Sequence, residues 1–141
     1  MKRDQSGFLL VRVGHRRVGL PLSQVTEVMS LGRVHRVPVV EPAVRGLVAV
    51  HGKMVPVVHL GALLEGGHCP LESAGVAVVV TLGGRKLCLE IDDAEILVRE
   101  PALPVPPGET LPWAVGVAQH EDSLVPLLDL SALSSRLTEA A

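Results

Sequence analysis

Gly14-His15-Arg16-Arg17-Val18-Gly19-Leu20-Pro21-Leu22 returns 69 positions later as Gly83-Gly84-Arg85-Lys86-Leu87-Cys88-Leu89-Glu90-Ile91, with apolar side chains on the same alternate places. Alternation with a period of two is the mark of a strand with one face buried. The glycines that open each stretch suit a tight hairpin turn, because glycine reaches positive φ without a steric penalty. A second block, Val55-Pro56-Val57-Val58-His59-Leu60-Gly61-Ala62-Leu63, returns 70 positions later as Val125-Pro126-Leu127-Leu128-Asp129-Leu130-Ser131-Ala132-Leu133, and Gly46 matches Gly116. Val25 and Val28 match Ala94 and Leu97. Two blocks in the same order at almost one offset define a duplicated unit of about 70 residues.

Working outward from these blocks, each unit reads as strand, glycine turn, alternating strand, polar turn, strand, proline-containing loop, hairpin and a helical turn. Strands are predicted near 8–13, 16–22, 25–31, 46–50 and 54–58, and again near 75–82, 85–91, 94–99, 113–119 and 124–128. Ser131 is the expected cap of a helix over 132–137, and 101–112 the expected ordered surface loop. The fold class is all-β: two tandem five-stranded barrels related by pseudo-twofold symmetry, with short helical turns. One domain over 6–137 divides into subdomains at about 14–72 and 75–137, with strand 8–13 available to either. Units this small bury little surface alone, so the two are expected to share an apolar interface, with a binding groove between them. Pro56 and Pro126 donate no backbone hydrogen bond, so each belongs at a strand edge, a strand start or a bulge.

The chain has 141 residues, 48% of them apolar and 20% charged, with a formal net charge of -2. That balance argues against a disordered tail and against nucleic-acid or anionic-membrane binding. Valine supplies 24 residues and aromatics only Phe8 and Trp113, too few faces for a base-stacking or sugar-binding platform. The longest uncharged runs fall short of the roughly 18–20 residues that a bilayer crossing needs, and Arg12 interrupts the apolar start before an export signal forms, which points to the cytoplasm. Cys88, flanked by Leu87 and Leu89, reads as a packed thiol. No phosphate loop, His-Glu-x-x-His helix, nucleophile elbow or Cys-x-x-Cys pair is present, so no catalytic, cofactor or metal residues are assigned. His51, His59, His68 and Cys69 are close in sequence but fall on separate strands and a loop. Asp92, Asp93 and Glu95 read as solvated turn residues, and Arg16, Arg17, Arg85 and Lys86 as edge charges. What remains is a surface for holding other proteins.

Phe8-Leu9-Leu10-Val11 before a glycine turn, Val18-Gly19-Leu20-Pro21-Leu22, Val25-Thr26-Glu27-Val28, Arg45-Gly46 and His51-Gly52-Lys53-Met54-Val55-Pro56-Val57-Val58, taken in order, resemble the CheW-like family of chemotaxis coupling proteins. The resemblance covers residues 6–137. It implies a pair of five-stranded SH3-like barrels, no catalysis and no cofactor, and a cytoplasmic adaptor recruited to receptor arrays. That adaptor would join the cytoplasmic tip of a methyl-accepting chemoreceptor to a CheA-type histidine kinase. It also implies partner-binding roles for Val25, Glu27, Val28, Gly46, His51 and Gly52, with the second barrel supplying much of the kinase-facing edge. Two departures stand out: Ala49-Val50-His51-Gly52 where the family carries Asn-Leu-Arg-Gly, and His59 where an Asp follows the Val-Pro strand. A neutral imidazole cannot reproduce the bidentate pairing of a guanidinium. The alternatives are therefore a diverged paralogue that keeps only the receptor or only the kinase contact, and a small-ligand or metal-binding β-barrel protein.

Overall fold

The computed structural model describes residues 7–38, 41–73, 75–99, 102–105, 113–121 and 123–133. Five strands come from the first repeat: β1 (Phe8–Val13), β2 (Arg16–Pro21), β3 (Val25–Ser30), β4 (Val44–Val50) and β5 (Lys53–His59). A helix, α1 (Leu60–Glu65), follows them. The second repeat gives β6 (Val76–Leu82), β7 (Arg85–Ile91), β8 (Asp93–Val98), β9 (Ala114–His120) and β10 (Ser123–Leu128). The strands form two five-stranded sheets, ordered β8-β1-β2-β10-β9 and β3-β6-β7-β5-β4. Exchanging every strand for its counterpart one repeat away turns the first order into the second. This is the pseudo-twofold relation that the sequence repeat predicts.

The sheets do not follow the sequence halves. β1 and β2 join three strands of the second repeat, and β6 and β7 join three of the first. The ranges 14–72 and 75–137 therefore mark repeats of sequence and not separate sheets. Strand 8–13 pairs with β2 through Leu10↔Gly19 and with β8 through Leu10↔Ile96. Two parallel ladders carry the exchange. Leu127 of β10 pairs with Gly19 of β2, and Val57, Val58 and His59 of β5 pair with Cys88, Leu89 and Glu90 of β7.

Burial explains the near-continuous apolar runs of β1 and β6, since each lies with both faces covered. Leu9, Val11 and Val13 of β1 join Val78 and Val80 of β6, Leu89 and Ile91 of β7, and Leu60 and Leu63 of α1 in one core between the sheets. The intervening positions turn the other way. Ala77, Val79 and Cys88 pack with Val48, Val50, Val55 and Val57 inside the second sheet. Leu10, Val98 and Val125 pack together inside the first. The expected shared apolar interface is thus present and filled by side chains of both sheets.

Local geometry follows the residue types. Gly83 and Gly84 both take positive φ, 56° and 84°, which a two-residue hairpin turn between β6 and β7 demands. Pro56 and Pro126 each sit one residue before the parallel ladder starts and next to a register shift, where a missing N–H costs least. Strand 16–22 ends earlier than expected, at Pro21, and Leu22–Gln24 form a 3-10 turn. Residues 130–133 are helical, so the last helix starts before 132. Its cap is Asp129 and not Ser131: the Asp129 Oδ1 accepts from the Ser131 and Ala132 amides at 3.1 and 3.2 Å. Residues 134–137 of that expected helix, and 101 and 106–112 of the expected loop, lie outside the described residues.

On each edge the chain crosses back. His35 exchanges both backbone hydrogen bonds with Leu47 of β4, and Leu103 does the same with Val117 of β9. A Cβ on Gly46 would stand 2.2 Å from the His35 carbonyl oxygen, and one on Gly116 2.6 Å from that of Leu103. Only glycine admits this crossing. Gly46→Ala should lower stability by about 1–3 kcal/mol through forced backbone displacement, read as a lower urea midpoint. Gly32→Ala, in open space, should leave the midpoint unchanged. Equal midpoints for the two variants would contradict this reading.

Candidate docking surface

The six residues singled out as partner-binding separate into three environments. Glu27 on edge strand β3 and His51 in the turn after β4 come together: the His51 Nε2 lies 3.0 and 3.2 Å from the two Glu27 oxygens. Their side chains are 36% and 68% exposed, so the pair is open to a partner. It links the two edge strands of one sheet, which curls that sheet toward a barrel. His51 holds φ at 48°, and Gly52 beside it at 83°, so the turn presents the imidazole outward from a tight bend. Val28 is exposed, but as the neighbour of Glu27 on a strand it points to the other face. Val25 is half-buried against the central core, and Gly46 is buried under the His35 crossing. Those two act as packing and backbone residues.

Sequence reasoning missed the strongest polar contact. Arg45 on β4 grips Glu90 at the end of β7 with two bonds, Nε to Oε1 at 2.6 Å and Nη2 to Oε2 at 3.2 Å. A third guanidinium nitrogen donates to the Pro70 carbonyl at 2.9 Å. The side chains are 7% and 0% exposed. The signal was a lone carboxylate in the alternating strand Leu87-Cys88-Leu89-Glu90-Ile91, since a buried charge requires a partner. Among the described residues no buried side-chain nitrogen or oxygen lacks one.

The other charges mostly fasten strands. Arg17 on β2 pairs with Glu95 on β8 at 3.0 Å and reaches Glu121 at 3.8 Å. The Gly14 amide donates to the Asp92 carboxylate, joining the β1–β2 turn to the bend before β8. Asp93 and Glu95 lie within β8, a correction to their reading as turn residues; only Asp92 sits at a bend. Burial pushes the Cys88 thiol up to about 11, with the Glu27 charge adding to it, and burial raises Cys69 as well. Both stay thiols at neutral pH, and the thiolate is the nucleophilic form. Among the described residues, no three His, Cys, Asp or Glu side chains are grouped to hold a metal ion. A cavity of about 580 Å³ opens between Arg12, His15, Arg17 and Leu124 at one end of the first sheet.

These features define a class: a rigid, internally duplicated β scaffold whose polar groups clamp strands or face outward. The chain matches the model of the CheW-like domain over residues 7–138 and belongs to that family, a scaffold and adaptor family. It is similar in fold to the crystal structure of the scaffolding protein TtCheW from Thermoanaerobacter tengcongensis, with a TM-score of 0.78 and 20% sequence identity. The superposition covers 94% of this chain and 89% of that one. Among curated proteins none matches the sequence.

Removing one member of the buried pair strands a charge in the interior. Arg45→Met should therefore cost about 3–5 kcal/mol, and the double variant Arg45→Met with Glu90→Leu should be clearly more stable than that single variant. Chemical denaturation of wild type, Arg45→Met and the double variant checks this; a double variant no more stable than Arg45→Met would contradict it.

Proposed function

We propose that this chain is a non-enzymatic coupling adaptor that joins a chemoreceptor tip to a CheA-type histidine kinase in the cytoplasm, within receptor arrays. The observation that carries the reading is the family match over residues 7–138, on a chain whose described polar clusters are strand clamps and surface pairs. No described helix is long and apolar enough to cross a membrane.

The receptor contact falls on Glu27, His51 and Gly52, with the β3 backbone edge beside them. A helical receptor tip offers an apolar stripe flanked by charges, and such a stripe docks on a rigid surface as a helix does in a groove. Val28, Met54, Leu97 and Leu124 are exposed apolar groups that such partners could cover. They fall at repeat-related positions, Val28 with Leu97 and Met54 with Leu124, so each sheet offers a comparable apolar pair. Two similar frames with different decoration suit two different partners, receptor on one and kinase on the other. Val25 and Gly46 contribute by holding β3 and β4 in place.

A second reading, a paralogue that keeps one contact, is favoured by His51 itself. An imidazole offers at most two donors where a guanidinium offers five, and the His51 Nε2 already faces Glu27. Titration of the full chain with a receptor-tip hairpin and, separately, with the kinase regulatory domain decides between the two readings. Binding of both supports the bridge, binding of one supports the paralogue, and binding of neither overturns the adaptor reading. His51→Arg should tighten receptor binding by about two- to fivefold, the span of an exposed charge contact. An unchanged Kd removes His51 from the contact.

A further inference from the structure

The two repeats begin their helices with different chemistry. In the second, the Asp129 carboxylate caps residues 130–133. In the first, the residue 70 positions earlier is His59, and its Nδ1 accepts from the Ala62 amide at 3.0 Å while its backbone stays extended, with φ -76° and ψ 109°. An amide nitrogen can only donate, so Nδ1 must carry a lone pair. Neutral imidazole has one such nitrogen, and imidazolium has none. The neighbouring sequence is fitted to the ring. A Cβ on Gly61 would stand 3.2 Å from the His59 Cε1 and 2.9 Å from Val13, whereas the matching position in the second repeat carries the exposed Ser131.

We propose that His59 makes the cap of α1 an acid-released latch. Protonation turns the acceptor that caps that helix start into a donor facing the Ala62 N–H, and places positive charge at the positive end of the helix dipole. The first turn of α1 then loses its cap. What it holds is the link between the repeats: Leu60, Ala62 and Leu63 sit in the central core, the Gly67 amide donates to the Ala62 carbonyl, and Pro70 accepts from the buried Arg45. The second helical turn keeps a carboxylate cap, and carboxylates as a residue type protonate far below the histidine range. Acidification therefore loosens one repeat and spares the other.

Other ionisable groups face the ring. Glu65 comes from α1, His68 from the loop after it and Asp92 from the β7–β8 bend; all line one cavity of about 330 Å³ with His59. Glu90 lies opposite in the β7 ladder, held by Arg45, and Cys69 is bonded to the adjacent Ala43 carbonyl. β1 contributes Val13 and the turn after it Gly14, which carry no charge. These groups are common to the wild type and to the variants at position 59, and His59→Asn adds no charge beside them.

The experiment is amide hydrogen exchange by NMR on the full chain at about pH 8 and pH 5, the interval in which histidine as a residue type changes charge. Wild type is compared with His59→Asp and His59→Asn, both of which cap without titrating in that interval. After correction for intrinsic exchange, protection at Ala62 in the wild type should fall by about fivefold on acidification, the loss expected for one cap. It should stay level in either variant. His59→Asn keeps the test open if the carboxylate variant does not fold. An equal fall in wild type and variants, or no fall in wild type, would overturn the proposal.

Discussion

The structure depends on an exchange of strands between the two repeats. Each sheet is completed through a parallel ladder that joins a strand of one repeat to a strand of the other, β10 to β2 and β5 to β7. Parallel neighbours cannot be joined by a tight turn, so these ladders need chain from far away in the sequence. The central core then draws on both sheets and on α1 at once. Arg45, Glu90 and the Pro70 carbonyl seal the same junction from one side. A repeat of this size buries too little surface to be secure alone, and exchange answers that by building one core from both repeats.

The duplication also supplies a frame on which differences become visible. Where the first repeat has the Glu27 and His51 pair, the second has Ile96 and Glu121. Arg45 corresponds to the exposed Val115, and Glu90 to Pro21, so the buried ion pair exists in one barrel only. His59 caps one helix and Asp129 the other. The backbone is nearly symmetric while charge, polarity and titration are not. This asymmetry is what the proposed coupling of two unlike partners would use. For it to transmit a signal and not only tether, a partner must bind two arrangements with different affinity.

Most of the strand pattern was legible because alternation and glycine turns are local properties of the chain. β1, β2 and β7 fell where strands 8–13, 16–22 and 85–91 were predicted, with Leu22 lost from the end of β2 to the 3-10 turn. The repeat offset also made the pseudo-twofold visible. Sheet membership was not legible, because nothing in β1 or β6 says which repeat supplies its neighbours; that choice is made by the shared core. For the site, the spacing of Glu27 and His51 showed no pairing, since their contact forms only once the sheet curls its two edges together. The half-burial of Val25 was not legible, because a half-buried valine and an exposed one look alike on an alternating edge strand. Arg45 and Glu90 were each in view, but their union links positions 45 residues apart through two different strands. The Asp129 cap was mistaken for Ser131 because both residues suit the role and only the helix start separates them.

Separating the repeats probes the account at its root. Residues 1–72 and 73–141 would be expressed as two polypeptides and followed by proton–nitrogen correlation NMR, alone and mixed. Each half alone should give the narrow amide dispersion of an unfolded chain, and the mixture should recover the dispersed spectrum of the intact protein. A well-dispersed, cooperatively unfolding spectrum from either half by itself would contradict it.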